Sequence, residues 1–304
     1  MAKKRSSKQE KRKRAQRVAA RANRLGKENE SPTSIDLPDP RLMERTLGNF
    51  PGKRIFNSPV DRAQELMYDA WESRDPRKRI GLALEALDVS RDCADAYLLI
   101  ADEATDSREA YIALHYAAVA AGERAIGSEA FKEDIGHFWG ILETRPYMRA
   151  RAGLAHGLWV LGKKDEAINH LLDMLMLNPN DNQGLRYQLL SWLIMKDRIR
   201  DARDLLDRYD GDACAVWLYS AALLAFFEHG DTEETRALIS KAIEGNPHVP
   251  QYLLGQKRLP RLRPEYVGFG DDTEAISYAV DGLEIWKKTK GALEWLREAT
   301  REGS

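Results

Sequence analysis

The chain has 304 residues, 43% of them hydrophobic and 31% charged, enough to bury a core as one long domain or two short ones. Its net charge of -1 hides an uneven split: residues 1–24 carry 11 Lys/Arg and one acid, Glu10, while the remainder carries 36 basic against 47 acidic residues. Cys93 and Cys214 lie 121 residues apart, which excludes a disulfide framework or a cysteine zinc site and fits two buried thiols in a reducing compartment.

The first region, residues 1–57, reads as a disordered tail. Its opening basic block lacks an apolar face, and "ENESPTSIDLPDPR" is rich in Ser, Pro and acids, so neither offers apolar surface to offset the entropy of ordering. No apolar stretch follows the charges, so no secretory signal is expected. Lys3, Lys4, Arg5, Lys11, Arg12, Lys13 and Arg14 are candidates for non-specific phosphate contacts with RNA, or for a nuclear import signal if the cell has a nucleus. Few aromatics lie in that tail, so base stacking is not supported, and the bland alternative is a solubilising extension.

From about Ser58 the periodicity is helical, and alternating β-branched segments with hairpin turns are absent. The expected fold class is all-α: a tetratricopeptide-like right-handed α-solenoid of helix pairs over residues 58–256, free of coiled coil. In "MRARAGLAHGLWVLGKKDEAINHLLDMLMLNPND" (148–181), Leu154, Ala155, Leu158, Ala167, Leu171 and Pro179 occupy the packing positions of a 34-residue repeat. Residues 182–212 and 216–249 keep the period more loosely, and the stretch around Ala86 and Ala110 holds degenerate copies upstream. Small residues let antiparallel helices approach, and each pair must stack on neighbours to bury its face. The run 213–227, 15 residues between Asp212 and Glu228, is too short to cross a membrane and reads as a buried helix. "SEAFKEDIGHFWGILETRP" interrupts the period as an irregular helix, with His137 half-buried beside Phe138 and Trp139.

Residues 257–304 form a C-terminal helical module after a connector stiffened by Pro260 and Pro264. Asp271 with Glu274 three residues on predicts a capped helix to about Lys288, and a shorter helix follows. Gly268 and Gly270 in "GFGDD" follow no strand and precede two acids, a poor phosphate loop. The strings "NPHVP" at 246–250, "YLL" at 252–254, "GDDTEAI" through Ile276 and the Trp286…Gly291-Ala292-Leu293 ending resemble the end of the suppression-of-tumorigenicity-7 family of tetratricopeptide-like proteins. The likeness extends more loosely over the repeats from about residue 60. It implies a helical repeat protein with no established enzymatic activity. Animal members resemble membrane proteins with N-terminal spans, whereas this chain offers a hydrophilic basic tail and implies a soluble branch.

No metal spacing, phosphate-binding loop or nucleophile motif is present, and the six histidines are scattered. An enzyme is not expected, nor is a cofactor or metal. The better candidate is a groove lined by the first helix of each pair, holding a peptide or C-terminal tail of another protein. Arg145, Arg149, Arg151 and His156 in the best-formed repeat, with Asn182, Gln183, Arg186 and Tyr187 in the next, are the candidate peptide- or anion-binding residues. Arg145 precedes Pro146 and is expected off the helix, aimed at the neighbouring turn. Asn182 is expected at a helix start. These arginines crowd the positive end of a helix dipole, where cations are unfavourable, so packing does not explain them. Either they grip a ligand carboxylate in bidentate forks or they pair with neighbouring acids such as Glu143 or Asp181. The reading is a cytoplasmic (or nuclear) scaffold binding an acidic segment, with an RNA- or ribosome-associated protein as the alternative.

Overall fold

The computed structural model describes residues 39–48 and 58–302, and among them every regular element is a helix. The chain gathers into two compact units, one up to Asn182 and one from Gln183 onward. The break therefore falls in the turn closing the best-formed repeat, not at the Pro-rich connector.

In the first unit, helix α1 (Leu42–Gly48) is followed by three antiparallel pairs: α2 (Pro59–Glu72) with α3 (Pro76–Val89), α4 (Ala94–Ala104) with α5 (Arg108–Ile126), and, after a short α6 (Ala130–Glu133), α7 (Arg145–Val160) with α8 (Lys164–Leu177). The second helix of each pair packs on the first helix of the next, and first helices also meet, α2 with α4 and α4 with α7. Local chemistry sets the starts. Ser58 and Asp61 exchange side-chain and backbone hydrogen bonds in a capping box, Asp75 caps α3 ahead of Pro76, and Ser107 caps α5. Small residues set the spacing: Ala63, Ala70, Ala83, Ala86 and Ala96 are fully buried. Between α5 and α7 even alanine is too large. A Cβ on Gly153 would lie 2.4 Å from Nε2 of His115, and one on Gly122 would lie 2.8 Å from Cβ of Tyr147.

Two departures from the sequence reading occur here. Leu42–Gly48 lies inside the expected tail yet forms a helix, because it docks on α2 and places Glu44 against buried arginines. The interruption at 128–146 resolves into α6 and two 3₁₀ turns, Phe138–Gly140 and Leu142–Thr144. There Phe138 takes the core position against Phe131 and Tyr147, which leaves His137 exposed, not half-buried.

The second unit pairs α9 (Leu185–Met195) with α10 (Ile199–Arg208) and α11 (Ala215–His229) with α12 (Glu233–Gly245), then adds α13 (Val249–Leu253), α14 (Asp272–Lys288) and α15 (Ala292–Glu302). α14 packs on α9 and α11, and α15 on α11 and α12, so the last helices share the core of the pairs before them. Trp286 is fully buried, donates from Nε1 to Oη of Tyr278 at 2.8 Å, and lies near-parallel to Trp295, which stacks on Phe226. Asp271 caps α14 by accepting from the N–H groups of Thr273 and Glu274. The carboxylate of Glu274 is buried and accepts from the N–H of Ala215, the N–H of Gly270 and Nδ2 of Asn246, satisfying the first turn of α11 from another helix.

Cys93 and Cys214 are the N-cap residues of α4 and α11, both buried and not bonded to each other. Burial pushes each thiol up to about 12, so neither is a reactive thiolate. Among the described residues no helix is long and apolar enough to cross a membrane.

Candidate functional site: the Arg149 cluster

The first helices of the three pairs in the first unit converge on one arginine. Arg149, the fifth residue of α7, donates from Nε and Nη2 to the two oxygens of Asp95 on α4, at 3.0 and 2.6 Å. Its remaining nitrogen, Nη1, donates to Oε1 of Glu44 on α1 at 2.7 Å. The side chains of Arg149, Glu44 and Asp95 are 15%, 6% and 0% exposed. Gln64 of α2 completes Asp95 by donating from Nε2 at 2.9 Å, and the Trp71 ring lies 5.9 Å from the Arg149 guanidinium. Burial disfavours the charged form of Arg149, but the charges of Asp95 and Glu44 outweigh it and hold the guanidinium above its ordinary range. Asp95 also occupies the first turn of α4, where the helix dipole favours an anion.

The other candidates on α7 have separate tasks. Arg145 is not off the helix: it is the first helical residue, at φ -60° and ψ -41°. Its Nε donates to the Trp139 carbonyl at 2.9 Å and its Nη1 lies 3.5 Å from Glu44. These bonds outweigh the bias that Pro146 imposes on the residue before it. Arg151 points away, donating to Nδ1 of His170 and Oη of Tyr147 and pairing with Asp173, which ties α7 to α8. His156 is exposed and lines a separate cavity of about 430 Å³ with Asp102, Arg108 and Tyr111.

In the second unit Arg186 pairs with Asp212 at 2.9 and 2.8 Å. Its guanidinium lies 4.2, 5.3 and 5.9 Å from the rings of Tyr187, Tyr209 and Trp217. Burial raises the Asp212 carboxyl, but hydrogen bonds from Cys214, Arg186 and Tyr187 outweigh it and hold the group below the usual range. Arg186, Tyr187, Tyr209, Asp212 and Phe269 border a cavity of about 720 Å³. Asn182 is exposed in the preceding turn and does not start the helix, because Gly184, at φ 70°, caps α9 in a left-handed conformation open to glycine. Gln183 is the first residue of this unit. The candidate residues therefore do not share one site: Arg145 and Arg149 meet at Glu44, Arg151 and His156 lie apart from them in the same unit, and Arg186 and Tyr187 pack together in the second. Lys3, Lys4, Arg5, Lys11, Arg12, Lys13 and Arg14 lie outside the described residues.

Sequence reasoning missed Glu44, Gln64, Asp95 and Trp71. The one available signal was an acid inside the apolar start "CADAYLL", an unlikely place for an unpaired charge. Chemically, this cluster holds carboxylates: a guanidinium stays protonated and has no proton to trade in acid–base chemistry. Among the described residues, no group of His, Cys, Asp and Glu is placed to hold a metal ion.

Comparison with known proteins bears on the same helices. The family described as ST7 protein matches residues 56–304, a span containing Asp95, Arg145 and Arg149 but not α1. The chain is 32% identical over 267 residues to the rat (Rattus norvegicus) protein named Suppressor of tumorigenicity 7 protein-like, covering 79% of this chain and 46% of the relative. The human protein of that name is 32% identical, with 79% and 45% covered. Protein ST7 homolog of Drosophila melanogaster is 33% identical over 263 residues, with 79% and 49% covered. The chain thus spans about half the length of the curated relatives it matches. No solved structure matches it. On the extent of the family match and the identity to these relatives, the chain belongs to the ST7 protein family.

Proposed function

We propose that this chain is a protein-interaction scaffold, not an enzyme, and that it takes an acidic segment of a partner protein on the face made by α2, α4 and α7. The observation that carries this reading is Arg149: one buried guanidinium holds a carboxylate of the stacked helices with its fork and a carboxylate presented from outside the stack with Nη1. Charge-assisted bonds of this kind are stronger than neutral ones and fix orientation. Arg145 adds a second cation at 3.5 Å from the same Glu44 oxygen. The two buried thiols support a reducing compartment such as the cytoplasm.

The test is capture of partners from cell extract by the full chain and by an Arg145→Glu, Arg149→Lys variant, with circular dichroism to establish that both are folded. Lysine keeps one charge at position 149 but loses the fork. Loss of a set of partners from the folded variant supports the reading, and an unchanged set from the folded variant overturns it.

A further inference from the structure

We infer that residues 39–48 are an intramolecular occupant of that face, and that the partner it accepts presents a short helix of the pattern Arg-x-x-Glu-Arg; this inference rests on the scaffold reading. The pattern is that of the chain's own segment "RLMER" at 41–45, and each of its charges meets a complementary group. Arg41, steadied by Asp39, lies 4.2 Å over the Trp71 ring. Glu44 enters between Arg149 and Arg145. Arg45 reaches a row of acids on α2, with Glu65, Asp69 and Glu72 at 3.0, 3.1 and 3.0 Å. A purely acidic peptide would set like charges against that row, so the face selects for an acid flanked by cations.

Three further observations mark the segment as an occupant and not a fixed part of the stack. Two of its three large apolar residues are turned outward, Met43 being 67% and Leu47 43% exposed, with Leu42 half-buried, so charge more than apolar burial holds it. A seven-residue helix has no stability of its own in water, so α1 orders only while docked. The family match begins at residue 56, beyond α1, whereas Asp95, Arg145 and Arg149 lie within it. When α1 leaves, Arg149 keeps its fork to Asp95 and the site stays formed, with Nη1 and the Arg145 guanidinium turned to the next carboxylate. A trans ligand therefore competes with a tethered one, which lowers its apparent affinity by the fraction of time the face is occupied.

The test uses the full chain and a fluorescently labelled peptide of residues 38–48. A Glu44→Ala, Arg45→Ala variant, in which the tethered segment is weakened, should bind the peptide at least about tenfold more tightly than the native chain. The same peptide with Glu44→Gln should bind neither. In parallel, hydrogen exchange should show the amides of 42–48 released in the variant, and in the native chain at high salt, while those of 94–104 stay protected. Equal peptide affinity for both chains overturns the occlusion but leaves the scaffold reading standing. Failure of the peptide to bind either folded chain, with partner capture still dependent on Arg145 and Arg149, overturns the inference alone. Failure of both experiments removes the scaffold reading with it.

Discussion

Arg149 in the first unit and Arg186 in the second sit on equivalent first helices, and the sequence presents them as similar candidates. Their surroundings differ in kind. The Arg186 guanidinium pairs with Asp212, 26 residues away, and lies against Tyr187, Tyr209 and Trp217, all within its own helix pair or the start of the next. Arg149 draws its acids from 54 and 105 residues away, and the second comes from a short helix outside the family match. A local, aromatic-packed arginine closes a joint between helices. An arginine whose third nitrogen is held by a short helix outside the family match offers, on the inference above, a position that another carboxylate can take.

The largest expected effect comes from breaking the buried side of this contrast. Arg149→Met leaves the Asp95 carboxylate buried with Gln64 as its donor, and urea unfolding should show a loss of about 3–5 kcal/mol. A loss near zero would mean that Asp95 rehydrates and that Arg149 does not organise the first unit. Gly153→Ala, which drives a methyl into the His115 ring, should cost about 1–3 kcal/mol by the same measurement and leaves every ion pair in place. In the second unit, Arg186→Gln removes a pair to a carboxylate and a guanidinium–ring contact, for which about 1–2 kcal/mol is expected. Its loss should fall on the second unit alone, read by exchange protection in α9 and α11.

Glu44→Gln should be milder, about 1 kcal/mol or less in global stability, because its effect cannot exceed the docking free energy of α1. Its signature is local opening of 42–48. A global loss as large as that of Arg149→Met would show α1 to be an integral part of the core. The smallest effect is on pH dependence. Burial lowers His115 below its ordinary value of 6.5, and burial together with Arg151 lowers His170. Both lie in the first unit. Below pH 6.5 the unfolded chain binds these protons first, so their contribution is fully present above pH 6.5 and is lost as pH falls toward the folded values. Melting between pH 7.5 and 5.5 should show this decline in the first unit, and His115→Asn should reduce it.

Much of the fold was legible from residue spacing. Alanines and leucines at helical intervals, with the pattern starting at Ser58 and Asp271 capping a late helix, define helices whose faces are fixed by the 3.6-residue period. The importance of the α7 arginines was also visible, since cations at a helix N-terminus need a reason. Their partners were not. Internal pairing was foreseen with acids close in sequence, such as Glu143 or Asp181, but the long-range partners that also hold the arginines, Glu44, Asp95, Asp173 and Asp212, were not named. Likewise α1 was unreadable: seven residues, with Met43 and Leu47 outward, are too few to carry a periodic signal, and they order only against a surface built from other helices.

The sequence by itself determined the paired helices from Pro59 onward and the small residues that let them touch, because these depend on contacts between residues close along the chain. Only the tertiary structure decided which acid meets which arginine. An ion pair is set by where stacked helices bring side chains from distant positions, and a buried arginine takes whichever carboxylates packing delivers within reach of its fork.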